Sequence, residues 1–326
     1  MSPGPLAILG VGGAHVDRIG HLSGPAHGGA SNPGTMAEWV GGCMANTLRV
    51  ARAVGGARIG LISARGGDTG GRLVAEALSE AGIADFSAVF LDRATPSYTA
   101  IMDADGEVMA ALADMDLYET GLARYLRRAE PRALIADAGM LLVDANLPSD
   151  AIGALCDAAN APVIALAVSP AKAPRILPHA GRFALTFVNR REMNALIGAP
   201  LSEPVAPGAL ARLSALGLGR VIISNGGDPV TVLDGDAAWR QPLGEPATPV
   251  DVTGAGDALA GATLAQRPDM PLADAVRFGI AAAAATIGVT GPVRPDIAAC
   301  DLKGAADALP AAEPIALNTA NPSETS

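Results

Sequence analysis

Asp257 closes a run of small residues, Asp251-Val252-Thr253-Gly254-Ala255-Gly256-Asp257, at the point where a loop gives way to an Ala-rich helical stretch. Small side chains let the backbone N–H groups of Gly254, Ala255, Gly256 and Asp257 come close to an anion. The positive end of the helix that follows points at the same spot. A carboxylate beside such a cradle can take a proton from a hydroxyl while the amides hold developing negative charge. Phosphoryl transfer to an alcohol needs both. Taken alone, the run reads more readily as a glycine turn with an aspartate cap, so the other polar clusters must decide.

Two of those clusters lie near the N-terminus. Gly41-Gly42-Cys43-Met44-Ala45-Asn46 places paired glycines before a helix, with Asn46 in its first turn. A polar ligand could lie against that backbone, and Asn offers both a donor and an acceptor. Asp17 follows the first strand and could bind two adjacent hydroxyls of a sugar. Further along, Asn189-Arg190-Arg191-Glu192 has the pattern of a helix capping box. Other chemistries find no support. No Gly-x-x-x-x-Gly-Lys-Ser/Thr run exists, and Gly10-Val11-Gly12-Gly13 lacks the third glycine of a dinucleotide fingerprint. His15, His21, His27 and His179 read as polar loop histidines.

These groups need a scaffold. Apolar runs at 6–11, 58–63, 141–144, 163–168, 184–188 and 221–224 predict strands. Helices are expected at 43–54, 69–81, 148–159, 171–178, 190–197, 207–216, 255–266 and 272–287. Such alternation implies an α/β fold with a mostly parallel sheet covered on both faces. The stretches 14–40 and 92–115 do not fit that sheet. Strand-like pieces at 97–102 and 107–111 flank an Asp103-Ala104-Asp105-Gly106 turn, so these stretches are expected to form a small β lid. Residues 1–302 are expected to form one domain and 303–326 a flexible C-terminal tail.

Composition narrows the partners. Aromatic residues are only 3% of the 326, so Ala, Val, Leu and Ile must build the core. A net charge of −10 disfavours a nucleic-acid polymer. Cys43, Cys156 and Cys300 show no metal-ligand spacing and fit a reducing cytosol. Without a membrane-length apolar stretch or a signal-peptide pattern at the N-terminus, a cytoplasmic location is expected.

The Gly41-Gly42…Asn46 element, Gly66-Gly67-Asp68-Thr69-Gly70-Gly71 and the run from Asp251 to Asp257 occur in the order and spacing of one known family. Over about residues 5 to 300 the chain resembles the PfkB, or ribokinase-like, carbohydrate kinases. The resemblance implies an ATP-dependent phosphotransferase with an alcohol acceptor, on a three-layer α/β/α sandwich with a β lid. It casts Asp257 as the catalytic base, and Gly254, Ala255 and Gly256 as the anion hole. It implies that Glu192 positions Mg2+ through water, and that Asn189, Ser224, Asn225, Gly226, Gly227 and Thr253 bind ATP. Asp251 would serve a monovalent cation such as K+. Asp17, Asn32, Gly41, Gly42 and Asn46 would face the acceptor, and relatives that pair through lid strands imply a homodimer.

Five shorter stretches, Gly12 to Asp17, Ser31 to Gly34, Ala113 to Tyr118, Val143 to Leu147 and Val168 to Lys172, resemble the pseudouridine kinases within that family. This implies phosphorylation of the 5′-hydroxyl of a C-nucleoside. The chain departs from them at Ala45, where those kinases commonly carry Arg, and at the bulkier Met44. A related kinase for ribose, adenosine or a hexose stays open. So does a catalytically silent nucleoside-binding regulator, although Asp257 and Glu192 are intact.

Overall fold

The computed structural model describes residues 6–200, 203–244, 248–266 and 270–317. Along the chain come β1 (Ile8–Val11), β2 (His15–Leu22), β3 (Gly34–Gly41), α1 (Cys43–Gly55), β4 (Ile59–Ile62), β5 (Ala64–Gly66), α2 (Thr69–Glu80), β6 (Ala84–Asp85), β7 (Ala88–Phe90), β8 (Ser97–Met102) and β9 (Val108–Asp114). A π-helical turn (Tyr118–Leu122) leads into α3 (Ala123–Tyr125) and α4 (Ala129–Asp137). Next are β10 (Leu141–Asp144), α5 (Ser149–Ala158), β11 (Val163–Leu166), a 3₁₀ stretch (Ala173–Arg182), β12 (Phe183–Asn189), α6 (Arg190–Ile197) and α7 (Pro207–Ala215). The chain finishes with β13 (Arg220–Asn225), β14 (Asp228–Asp234), β15 (Ala237–Gln241), α8 (Ala255–Gln266), α9 (Leu272–Thr286), α10 (Leu302–Asp307) and β16 (Glu313–Pro314).

The main sheet has ten strands in the order β16-β15-β14-β13-β12-β11-β10-β1-β4-β6. From β13 to β6 all neighbours run parallel, and β14 to β16 add an antiparallel edge. Strand side chains alternate between two cores, as the period of two requires. Leu9, Val143, Ala165 and Val221 join Ile135, Ile152, Leu196 and Leu213 of α4 to α7 on one face. Ile8, Leu142, Ile164 and Ile222 join Leu48, Leu78, Leu264 and Val276 of α1, α2, α8 and α9 on the other. The result is three layers. With few aromatics, the helices pack closely through small residues. A Cβ on Gly261 of α8 would come 2.3 Å from the Thr47 carbonyl of α1, so those two helices nearly touch. Asn46 and Asp257, one on each helix, are thereby brought together.

A separate four-stranded sheet, β3-β2-β8-β9, is built from the stretches 14–40 and 92–115. Every residue of β9 is exposed, and Met36, Val108, Met109 and Leu112 are large apolar side chains left in solvent. No helix of the described residues is long and apolar enough to cross a membrane.

Several expectations are corrected. The strand expected over 163–168 ends at Leu166, because Val168 turns to φ 68°. The helix expected at 171–178 is 3₁₀, since Pro174 and Pro178 remove i→i−4 donors. Strands β14 and β15 are additions: the Gly226-Gly227 turn that looked like a ligand loop is the hairpin from β13 into β14. From 303 on the chain is not a bare tail. It continues α10 and adds β16 to the sheet, where Ile315 and Leu317 pack on the core. Residues 318–326 lie outside the described residues.

Candidate active site

The parallel strands end on one side in loops that line a cavity of about 640 Å³. Open α/β sheets bind ligands at the C-terminal ends of their strands. Asp17, Gly42, Asn46, Asn189, Glu192, Ser224, Thr253, Gly256 and Asp257 all line this space, although they are scattered over most of the sequence.

Asp257 lies in the first turn of α8. The turn before it requires Gly254: its φ is +76°, and a Cβ would fall 1.9 Å from the Pro292 carbonyl. The Asp257 carboxylate accepts from Asn46 Nδ2 at 2.9 Å and from the Cys43 thiol. Burial pushes its pKa up to about 6, the bonds from Asn46 and Cys43 oppose that rise, and the charges of Asp144 and Asp17 add to it. Asn46 itself is 4% exposed, and its Oδ1 has no partner among the described residues. A buried acceptor left open beside a carboxylate needs a donor, and a ligand hydroxyl provides one.

Asp17 faces the same space from β2. His15 Nε2 lies 3.2 Å from its Oδ1. Behind His15, the Tyr118 hydroxyl is 3.4 Å from Nδ1, donates to the Ala14 carbonyl at 2.8 Å and accepts from the Ala14 N–H at 3.0 Å. Gly41 leaves room for this carboxylate, since a Cβ there would sit 1.9 Å from Asp17 Oδ2.

Asn189 and Glu192 do form a capping box. Glu192 N–H donates to Asn189 Oδ1 at 2.9 Å, and Asn189 N–H donates to Glu192 Oε2 at 2.8 Å. The cap does not exhaust Glu192, which lines the cavity and is 5% exposed. Burial raises its pKa to about 7, the Asn189 N–H opposes the rise, and the charge of Asp257 adds to it. Two carboxylates facing one cavity, Glu192 buried and Asp257 partly so, call for a cation. Their oxygens, with the Asn189 amide, suit Mg2+. Among the described residues no group of three or more His, Cys, Asp or Glu is placed to hold a metal directly. A Mg2+ ion here fits water-mediated holding by Glu192.

Other expected residues lie elsewhere. Asn32 is committed to its own exposed loop: Oδ1 accepts from the His27 N–H, and Nδ2 donates to the His27 and Ala30 carbonyls. Asn225 accepts from Arg190 Nε at 2.7 Å and donates to Asp228, while Gly226 and Gly227 turn the β13–β14 hairpin, so the structure brings only Ser224 of that group to the cavity. Asp251 ties two loops together, accepting from the N–H groups of Thr253 and Gly291 at 2.9 Å each. Burial would raise its pKa, but those two bonds hold it below the usual value.

Some lining residues escaped the sequence reading. His15 is buried and on a strand, not in a loop. Its position two before Asp17 was the available signal, because i and i+2 share a strand face. Cys43 lines the cavity beside Asp257, and burial first, then that carboxylate, pushes its thiol well above the ordinary pKa. It therefore stays a neutral donor. Asn146, Ser169 and Lys172 line the cavity as well.

Residues 9–298 match the pfkB family carbohydrate kinase pattern, and the chain belongs to that family. It is a phosphotransferase with a ribokinase-like fold. Over 278 residues it is 31% identical to the pseudouridine kinase of Escherichia coli (strain K12), covering 83% of this chain and 87% of that one. A carbohydrate kinase from Agrobacterium tumefaciens is 37% identical and superposes with a TM-score of 0.81, covering 94% of this chain and 99% of its own. The fold is also that of Arabidopsis thaliana ribokinase complexed with ribose and ATP, at TM-score 0.78 and 21% identity over 90% of this chain and 98% of that one.

Proposed function

We propose that this kinase transfers the γ-phosphoryl group of ATP to the 5′-hydroxyl of pseudouridine. The observation that carries the reading is Asp257, its carboxylate bonded to Asn46 on the cavity floor at the N-terminus of α8. The 31% identity to a pseudouridine kinase supports a nucleoside acceptor. Asp17 would hold the ribose hydroxyls, kept in place by His15 and Tyr118. Asn46 Oδ1 would accept from an acceptor hydroxyl while Nδ2 fixes Asp257.

In this mechanism ionised Asp257 takes the proton of the 5′-hydroxyl as its oxygen attacks the γ-phosphorus in line, and ADP leaves. The N–H groups from Gly254 to Asp257 stabilise the charge that builds on the transferring group. ATP would lie along Asn189, Ser224 and Thr253, which line the cavity. Mg2+, held by Glu192 through water, would screen the triphosphate charge.

A panel of pseudouridine, uridine, adenosine, ribose and fructose with ATP, with products identified by mass, tests the reading. Pseudouridine is expected to give the highest kcat/KM and a product heavier by one phosphoryl group. Efficient turnover of ribose with none of pseudouridine overturns the acceptor. A ligand-induced melting shift without ATP consumption overturns catalysis altogether and leaves a binding regulator.

A further inference from the structure

One side of the cavity holds a polar relay that the transfer step does not use. Asp144, at the end of β10, is fully buried. It accepts from the N–H groups of Gly13 at 2.8 Å and Asn146 at 3.0 Å, and from Asn146 Nδ2 at 3.1 Å. Asn146 Oδ1 in turn accepts from Lys172 Nζ at 2.6 Å. Asn146 and Lys172 both line the cavity, and Lys172 is the only Lys or Arg among the described residues that do.

Lys172 is held by a strained turn. Val168 is the one non-glycine residue at positive φ among the described residues, at 68°. A β-branched residue there is costly and persists where the surroundings impose it. Ser169 N–H donates to the Ala167 carbonyl at 2.8 Å, and the N–H groups of Lys172 and Ala173 donate back to the Ser169 carbonyl at 3.0 and 2.8 Å. The turn thus brings Val168, Ser169 and Lys172 to the cavity, which Tyr98 and Met115 also line.

We propose that this end is a subsite for a planar, carbonyl-bearing ring attached to the acceptor sugar, with Lys172 donating to a ring carbonyl. An ammonium has three donors. Asn146 takes one, so a ligand can take the others. The charged groups acting most on Lys172 are Asp144, Arg175 and Glu119. Through Asn146 the ammonium is paired with a buried carboxylate, so this end carries little net charge and suits a neutral group better than a phosphate. Tyr98, Met115 and Val168 supply apolar walls for the faces of a flat ring. The inference rests on the kinase reading above and names the part of the cavity that tells a nucleoside from a free sugar.

The test is Lys172→Met, which keeps length and apolar stem but removes the donors. With pseudouridine and ATP, KM for pseudouridine is expected to rise at least about 10-fold, the scale of a lost hydrogen bond to a charged group. The kcat value and the KM for ATP are expected to stay within about threefold. A matching rise in KM for ATP, or no change in either KM, overturns the assignment while leaving pseudouridine kinase activity in place. A wild-type protein that phosphorylates ribose but not pseudouridine overturns the acceptor reading first, and this inference with it. Should the Met variant fail to fold, Val168→Gly keeps Lys172 and a φ that glycine adopts freely, and removes one apolar wall of the proposed subsite. It is expected to raise KM for pseudouridine selectively, and an unchanged KM overturns the proposal.

Discussion

The two ends of the cavity are built in different ways. At one end a single loop-to-helix turn supplies Asp257 and the N–H groups around it, with Cys43 and Asn46 arriving from α1. At the other, Asp144, Asn146, Lys172 and Gly13 come from the ends of β10, β11 and β1, which are adjacent in the sheet but far apart in the chain. The first end is local in sequence and, on the proposed function, carries the transfer chemistry. The second exists only once the strand order is set, and it is there that selectivity for one acceptor can vary without disturbing the reaction.

The largest expected effect tests the first end. Asp257→Asn keeps the shape of the side chain and removes the base, so kcat is expected to fall at least about 10²-fold, the scale of general-base catalysis. KM for ATP should change little, because Ser224 and Thr253 are untouched. Steady-state kinetics settle it. Turnover that survives intact means the reactive end is misplaced and the contrast between the two ends collapses.

A smaller effect is expected where the two ends meet. Gly41→Ala places a methyl 1.9 Å from Asp17 Oδ2, and the carboxylate must move away from His15. KM for the acceptor is expected to rise about 10-fold, the scale of one charge-assisted hydrogen bond, with kcat less affected. Equal losses in kcat and kcat/KM would show that Asp17 acts in the transition state, and would join the ends that this comparison separates.

The contrast also explains what was legible. The run from Asp251 to Asp257 could be read because glycine, carboxylate and helix start are contiguous, and α6 was expected at 190–197 with the bounds it has. Asn189 and Glu192 read alone as a cap; the cap is real, and nothing local reveals that Glu192 also faces a cavity. Asn32 shows the reverse: its amide satisfies its own loop. His15 and Cys43 carry no motif by type, and only strand pairing and the approach of α1 to α8 bring them to the site. The segment after 303 lacks strong periodicity, yet a sheet edge at β15 gives even two residues a place to pair.

The smallest expected effect concerns stability and follows from the acidic end alone. Burial raises the pKa of Asp257 from 3.8 to about 6 and that of Glu192 from 4.5 to about 7. Between the ordinary and raised values the folded chain holds more protons than the unfolded chain. Stability therefore falls as pH rises through this window, the opposite of a salt-bridged carboxylate. Asp257→Asn removes one of these charges. The variant is expected to be more stable than wild type at pH 8 by about 1–3 kcal/mol, with the gain fading as pH falls from about 6 to about 4 and gone below that. The same titration predicts that wild-type kcat declines below about pH 6, as the base takes up a proton. Melting curves of the two proteins at pH 4 and pH 8, without nucleotide, measure the difference. Equal melting temperatures at pH 8 would mean that the Asp257 carboxylate is as well solvated in the fold as in water. The acidic end would then lose the reason for its raised pKa.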